Sequence, residues 1–111
     1  GEGSKADILY NEIHDNTTGV AVGFDSNDES RVHMHFNDLS GNDMNLVNTG
    51  KKKVHAEYNY WGASTKSGVA ATISGKAKYK RFFKTEAMLN IVLDWINSFT
   101  DDDDDGEGEE D

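Results

Sequence analysis

One short pattern recurs three times in this chain: an aromatic residue, Asn, any residue, then a large apolar residue. It reads Tyr10-Asn11-Glu12-Ile13, Phe36-Asn37-Asp38-Leu39 and Tyr58-Asn59-Tyr60-Trp61. The Asn residues stand 26 and 22 positions apart, and the longer interval holds the polar stretch from Phe24 to Ser30, which absorbs the excess. Before each Asn, alternate positions are apolar or small: Ala6, Ile8, Tyr10; Val32, Met34, Phe36; Val54, Ala56, Tyr58. A period of two marks a strand with one buried face. Turn-forming residues follow at Asn16-Thr17-Thr18-Gly19 and Asn42-Asp43, and then short apolar strands at Val20-Ala21-Val22 and Leu46-Val47. A repeat of roughly 22 residues built this way suits stacked β-coils and not a helical repeat.

The recurring Asn11, Asn37 and Asn59 have a physical reason to be there. Asn tolerates the left-handed backbone of a tight corner. Stacked Asn amides about 4.8 Å apart also hydrogen-bond into a ladder. The expected fold is mainly β: a short parallel β-solenoid of about three rungs over residues 1–84. A capping helix follows at 85–100, and an acidic disordered tail at 101–111.

The stretch Val54-His55-Ala56-Glu57-Tyr58-Asn59-Tyr60-Trp61-Gly62, followed by Ile73-Ser74-Gly75-Lys76-Ala77-Lys78-Tyr79, resembles the closing rungs of right-handed parallel β-helix proteins. That family includes pectate-lyase-like and copper-site-maturation (NosD-like) proteins, and surface-layer or adhesin-like proteins of methanogenic archaea. Its members carry an Asn-Trp-Trp-Gly or Asn-Tyr-Trp-Gly element and then a Val-Ser-Gly-x-Val-x-Tyr strand. The resemblance covers roughly residues 6–83 and implies a fold, not an activity. The chain departs from the family pattern at Ala63-Ser64-Thr65-Lys66, where Gly-Pro is usual, and at Lys80-Arg81-Phe82-Phe83, where Pro-Trp-Leu is usual.

Charge separates the C-terminal part from the rest. The net charge is −10, but residues 101–111 carry nine acidic residues and no basic one. Residues 1–100 hold 12 acidic residues against 11 Lys and Arg, which argues against the general basic footprint of a nucleic-acid binder. Like-charge repulsion favours an extended, solvated tail. The tail has two further readings: a partner for Lys51-Lys52-Lys53 or for Lys76, Lys78, Lys80, Arg81 and Lys84 on the same or a neighbouring subunit, and a weak divalent-cation binder. Before it, Thr85 is the expected N-cap of a helix with Glu86 in its first turn. Its polar positions, Asn90, Asp94, Asn97 and Ser98, fall on one narrow face. Met88, Leu89, Ile91, Val92, Leu93, Trp95, Ile96 and Phe99 cover the rest, more than the roughly 100° apolar arc a surface helix needs. Met88, Ile91, Val92, Trp95, Ile96 and Phe99, together with Trp61, are therefore candidates for capping or assembly. The helix is too short and interrupted to span a membrane. The absence of Cys excludes a disulfide framework and thiolate chemistry.

The outward positions of the repeats form columns. Four residues before each Asn stand Asp7, His33 and His55; two residues before stand Leu9, His35 and Glu57. His33, His35, His55 and Glu57 are thus candidate ligands for a transition metal, because imidazole and carboxylate suit zinc and its neighbours. The same cluster suits a pH-sensitive surface. No resident cofactor is implied. Catalytic motifs are missing: no phosphate-binding Gly loop, no nucleophile elbow, no metalloprotease helix. Asp7 and Glu57 are two rungs apart, a poor glycosidase pair. The expectation is a non-enzymatic structural protein of the cell surface or envelope. It would polymerise with itself through open β-edges and the apolar helix into a sheath, surface layer or amyloid-like filament. One alternative is a piece of a larger β-helix protein that acts on or binds carbohydrate. The other is a metal-binding or pH-sensitive surface module.

Overall fold

The computed structural model describes residues 4–109, with side chains through residue 99. Seven strands and two helices follow in chain order: β1 (Lys5–Leu9), β2 (Thr18–Val22), β3 (Arg31–His35), β4 (Met44–Asn48), β5 (Val54–His55), α1 (Lys66–Ala70), β6 (Ile73–Ser74), β7 (Ala77–Lys78) and α2 (Glu86–Glu109). Odd strands form a sheet in the order β1-β3-β5-β7, and even strands a second sheet in the order β2-β4-β6. Every pairing is parallel. A third line of contact consists of single parallel bridges, Glu12–Asp38, Asp38–Tyr60 and Tyr60–Phe83. Each repeat of the sequence therefore contributes one strand to each sheet and one bridge between them.

The register follows the sequence repeat. Asp7 pairs with His33, and His33 with His55. Val20 pairs with Leu46, and Leu46 with Ile73. The polar stretch after β2 is a closed turn. The Asp28 carboxylate accepts from the amides of Phe24 (2.9 Å) and Ser30 (2.7 Å), and the Ser30 hydroxyl first, then these amides, hold that carboxyl below the usual range. The segment Ala63-Ser64-Thr65-Lys66 after Trp61 also has a structural role. Thr65 caps α1 by accepting from the Gly68 amide at 3.1 Å, and the turn drops Val69 into the core. The tight closing turn rests on Gly75, at φ +90°, where a Cβ would overlap the Asn48 carbonyl.

The core lies between the sheets and comprises Val20, Val22, Val32, Met34, Leu39, Leu46, Val54, Ala56, Trp61 and Val69. Trp61 is 1% exposed, so it packs within its own chain and offers no surface for assembly.

Thr85 caps α2 as expected, its hydroxyl accepting from the Met88 amide at 3.2 Å. Among the described side chains of α2, Leu89 alone is fully buried, and Val92, Leu93 and Ile96 are half-buried. Burial is thus greatest near the start of the helix, while Met88, Ile91, Trp95 and Phe99 stay exposed. Its backbone stays helical to Glu109, past the expected end at residue 100 and through most of the segment expected to be extended. Extending a helix that is already nucleated costs far less than starting one. Residues 110 and 111 of the expected tail lie outside the described residues.

Candidate functional site

The Asn ladder forms as the spacing predicts. The Asn37 Oδ1 accepts from both the Asn11 amide (2.9 Å) and the Asn11 Nδ2 (3.3 Å). Asn59 Oδ1 does the same for Asn37, at 3.0 and 2.9 Å. The remaining Nδ2 protons go to carbonyls of the strand above: Asn37 to Ile8 and Asn59 to Met34, both at 2.8 Å. Each buried Asn therefore stitches two repeats together, and no polar atom of the amide is left dry.

The reason the corner turns is different from the expected one. The left-handed residue is the aromatic before each Asn: Tyr10, Phe36 and Tyr58 have φ of +62°, +62° and +63°. That dihedral breaks the period of two and swings the ring outward. The aromatics expected inside thus form an external column, with Tyr10 on Phe36 at 5.8 Å and Phe36 on Tyr58 at 6.1 Å, near parallel. A second, shorter ladder repeats the device. Asp15 (φ +63°) and Gly41 (φ +87°) precede Asn16 and Asn42, and Asn42 Oδ1 accepts from the Asn16 amide at 2.9 Å. Its signal was the same 26-residue spacing.

The outward face of the four-stranded sheet brings the candidate ligands together. The rings of His33 and His55 stack at 4.6 Å, 7° from parallel. His35 Nδ1–H donates to the Glu57 carbonyl at 2.7 Å, and the Glu57 carboxylate faces Lys78 at 3.6 Å. Burial pushes the Glu57 carboxyl up, but its own backbone amide, Lys78 and His35 together outweigh this and leave it below the usual range. Stacked imidazoles aim their nitrogens side by side instead of at one point. Among the described residues no three His, Asp or Glu side chains converge on a common metal position. The fourth histidine was not part of the expected cluster. His14 Nδ1–H donates to the Ser40 carbonyl at 2.6 Å, and its Nε2 lies 3.8 Å from the Asp38 carboxylate. The Ser40 hydrogen bond chiefly, helped by Asp38, raises the His14 pKa above its ordinary 6.5.

One column of this face escaped the sequence reading. Lys5 pairs with Arg31. The His33–His55 register, carried two residues back, sets Arg31 beside Lys53; the Val54–Ala77 register, carried one back, sets Lys53 beside Lys76. Four cations thus stand in line, Lys5 and Arg31 on their strands and Lys53 and Lys76 immediately before theirs. Like charges directly opposite across strands are unfavourable, by about 1 kcal/mol for unit charges ~4 Å apart in water. None of the four makes an ion pair among the described residues. Three shallow depressions run along this face; the middle one shares Arg31 and His33 with one neighbour and Lys53 and His55 with the other. The largest, about 540 Å³, reaches Lys78, Lys80 and Arg81. The near-neutral balance of residues 1–100 conceals this face, because most acids lie elsewhere.

Two apolar surfaces complete the inventory. On α2, Met88, Ile91, Trp95 and Phe99 follow at helical spacing and are 46%, 68%, 63% and 54% exposed. Trp95 and Phe99 meet edge to face at 4.9 Å. At the other end, β1 pairs among the described residues with β3 alone, and Ala6 and Leu9 are exposed. No helix among the described residues is long and apolar enough to cross a membrane. Comparison with protein-family models, curated proteins and solved structures finds no match.

Proposed function

We propose that this chain is a short parallel β-solenoid acting as a non-enzymatic structural subunit, which adds to further copies of itself at the open edge of its first repeat. The observation that carries the reading is the state of that repeat. Its inward positions Ala6 and Ile8 are exposed or half-buried, whereas their counterparts Val32 and Met34 are 6% and 0% exposed. The ladder residue Asn11 is likewise exposed, while Asn37 and Asn59 are fully buried. A strand placed on β1 would complete the core, the sheet and the ladder together. Edges of this kind template another chain unless they are guarded, and β1 has no Pro or bulge to guard it. The exposed stripe of α2 supplies a second apolar contact.

The resemblance of the Asn-Tyr-Trp-Gly region to surface-layer and adhesin-like proteins supports a sheath, surface layer or filament at the cell surface or envelope. Light scattering after size-exclusion chromatography tests the proposal. Assembly gives a mass that climbs with concentration and stays low when Ile8→Lys places a charge on the edge. A chain that remains monomeric throughout favours the competing reading, in which a longer β-helix protein, one that acts on or binds carbohydrate, supplies the missing repeat itself.

A further inference from the structure

The cation column calls for an explanation that the fold does not provide. Lys5, Arg31, Lys53 and Lys76 repel one another in register, and Lys78 and Lys80 extend the same face. Among the described residues of this face, Asp7 and Glu57 stand against these six, and Glu57 is already engaged by Lys78. Sheets place like charges this way at a cost, so the arrangement fits a linear polyanion laid along the strand-stacking direction. The chain itself contains one. Residues 101–111 carry nine carboxylates and no cation. They follow a helix whose described side chains line none of the three depressions. Residue 101 lies about 22 Å along the helix from Glu86 at 1.5 Å per residue. The described side chains of the chain's own helix leave the groove open to a neighbour.

We infer that the basic groove on the outer face of the β1-β3-β5-β7 sheet receives the acidic segment 101–111 of a second copy of this chain. The inference rests on the self-association reading and adds to it a second, electrostatic contact. Edge pairing is built on backbone hydrogen bonds and apolar burial and withstands salt. Groove docking joins exposed charges and is screened once the Debye length falls to a few ångströms.

Zero-length carbodiimide cross-linking of the full chain tests it, with isotopically heavy and light protein mixed so that links between copies are distinguished from links within one. The expected result is heavy–light links from the acidic segment to Lys53, Lys76 and Lys78, reduced about tenfold at 1 M salt, where the Debye length is ~3 Å. Charge removal by Arg31→Gln with Lys53→Gln lowers the remaining links to Lys76 and Lys78 several-fold while the circular dichroism spectrum is unchanged. Links confined to single copies overturn the inference, as do links spread equally to Lys66 and Lys84, which lie off the face. So does shielding of the face lysines from acetylation by added dextran sulfate with no heavy–light links, which gives the groove to an external polyanion. A salt-stable assembly without these links removes the inference and leaves edge pairing standing. Links that persist in a complex insensitive to Ile8→Lys do the reverse.

Discussion

The first and second repeats are written in the same motif and live in different environments. Phe36-Asn37-Asp38-Leu39 has a neighbour on both sides, and Asn37, Asp38 and Leu39 are 0%, 4% and 0% exposed. Tyr10-Asn11-Glu12-Ile13 has a neighbour on one side; Asn11 and Glu12 are exposed and Ile13 half-buried. The motif sets the geometry of a repeat, and the neighbours set its energy. A side chain in a stacked fold contributes what its local sequence suggests only when a further layer covers it.

That contrast is most sharply broken or confirmed by paired substitutions. The apolar pair comes first. Met34→Ala, at a fully buried site, should cost about 3 kcal/mol, and Ile8→Ala about 1 kcal/mol in the monomer. In the assembled form the Ile8 value should approach that of Met34, because a covering strand finishes its burial. Thermal melts at low and high protein concentration separate the two cases. The amide pair comes next. Removing the amide at Asn37 takes the partner from the part-buried Ile8 carbonyl and from the Asn11 amide, and leaves Asn59 Oδ1 with only the Asn37 backbone N–H. At roughly 1–3 kcal/mol for a buried group left unsatisfied, Asn37→Ala should cost about 2 kcal/mol. Asn11→Ala removes an exposed amide and should cost about 0.5 kcal/mol. Urea unfolding of the two variants side by side checks this, and equal losses would contradict it.

A smaller effect concerns pH. His14 bridges the first and second repeats through Ser40 and Asp38, and its folded pKa is raised above the ordinary 6.5. Its contribution is complete below the unfolded pKa and is lost as pH rises through the folded one. Stability should therefore fall slightly from pH about 6 to pH about 8. His14→Gln should flatten the profile in that window, as read by melting temperature in a pH series. A profile unchanged by the substitution would contradict the assignment.

Much of this architecture was legible. The triple recurrence of the Asn motif, the spacings of 26 and 22, and the apolar alternation before each Asn yielded the parallel register and the ladder. The inversion of the aromatics was not legible from the period of two. Tyr10, Phe36 and Tyr58 obey it by residue type and leave it by backbone dihedral, a cost of order 1–2 kcal/mol each that ring stacking and the Asn bonds offset. The helical plug at Val69 was hidden because five residues are too few to show a helical period. Trp61 read as a surface candidate and proved to be core, since an aromatic at a turn carries no label of which side it faces. The column Lys5, Arg31, Lys53 lay six residues before each Asn, in the register already recognised. It was masked because net charge averages over faces that the fold keeps apart.

Assembly at the open first repeat is tested most directly by the mass of the protein at 1 M salt over a hundredfold range of concentration. High salt silences the electrostatic contact, with a Debye length of ~3 Å, and leaves the edge. Open-edge assembly predicts a mass that rises well above the 12.3 kDa of one chain and returns to it in Ile8→Lys. A mass fixed at 12.3 kDa at every concentration would contradict it.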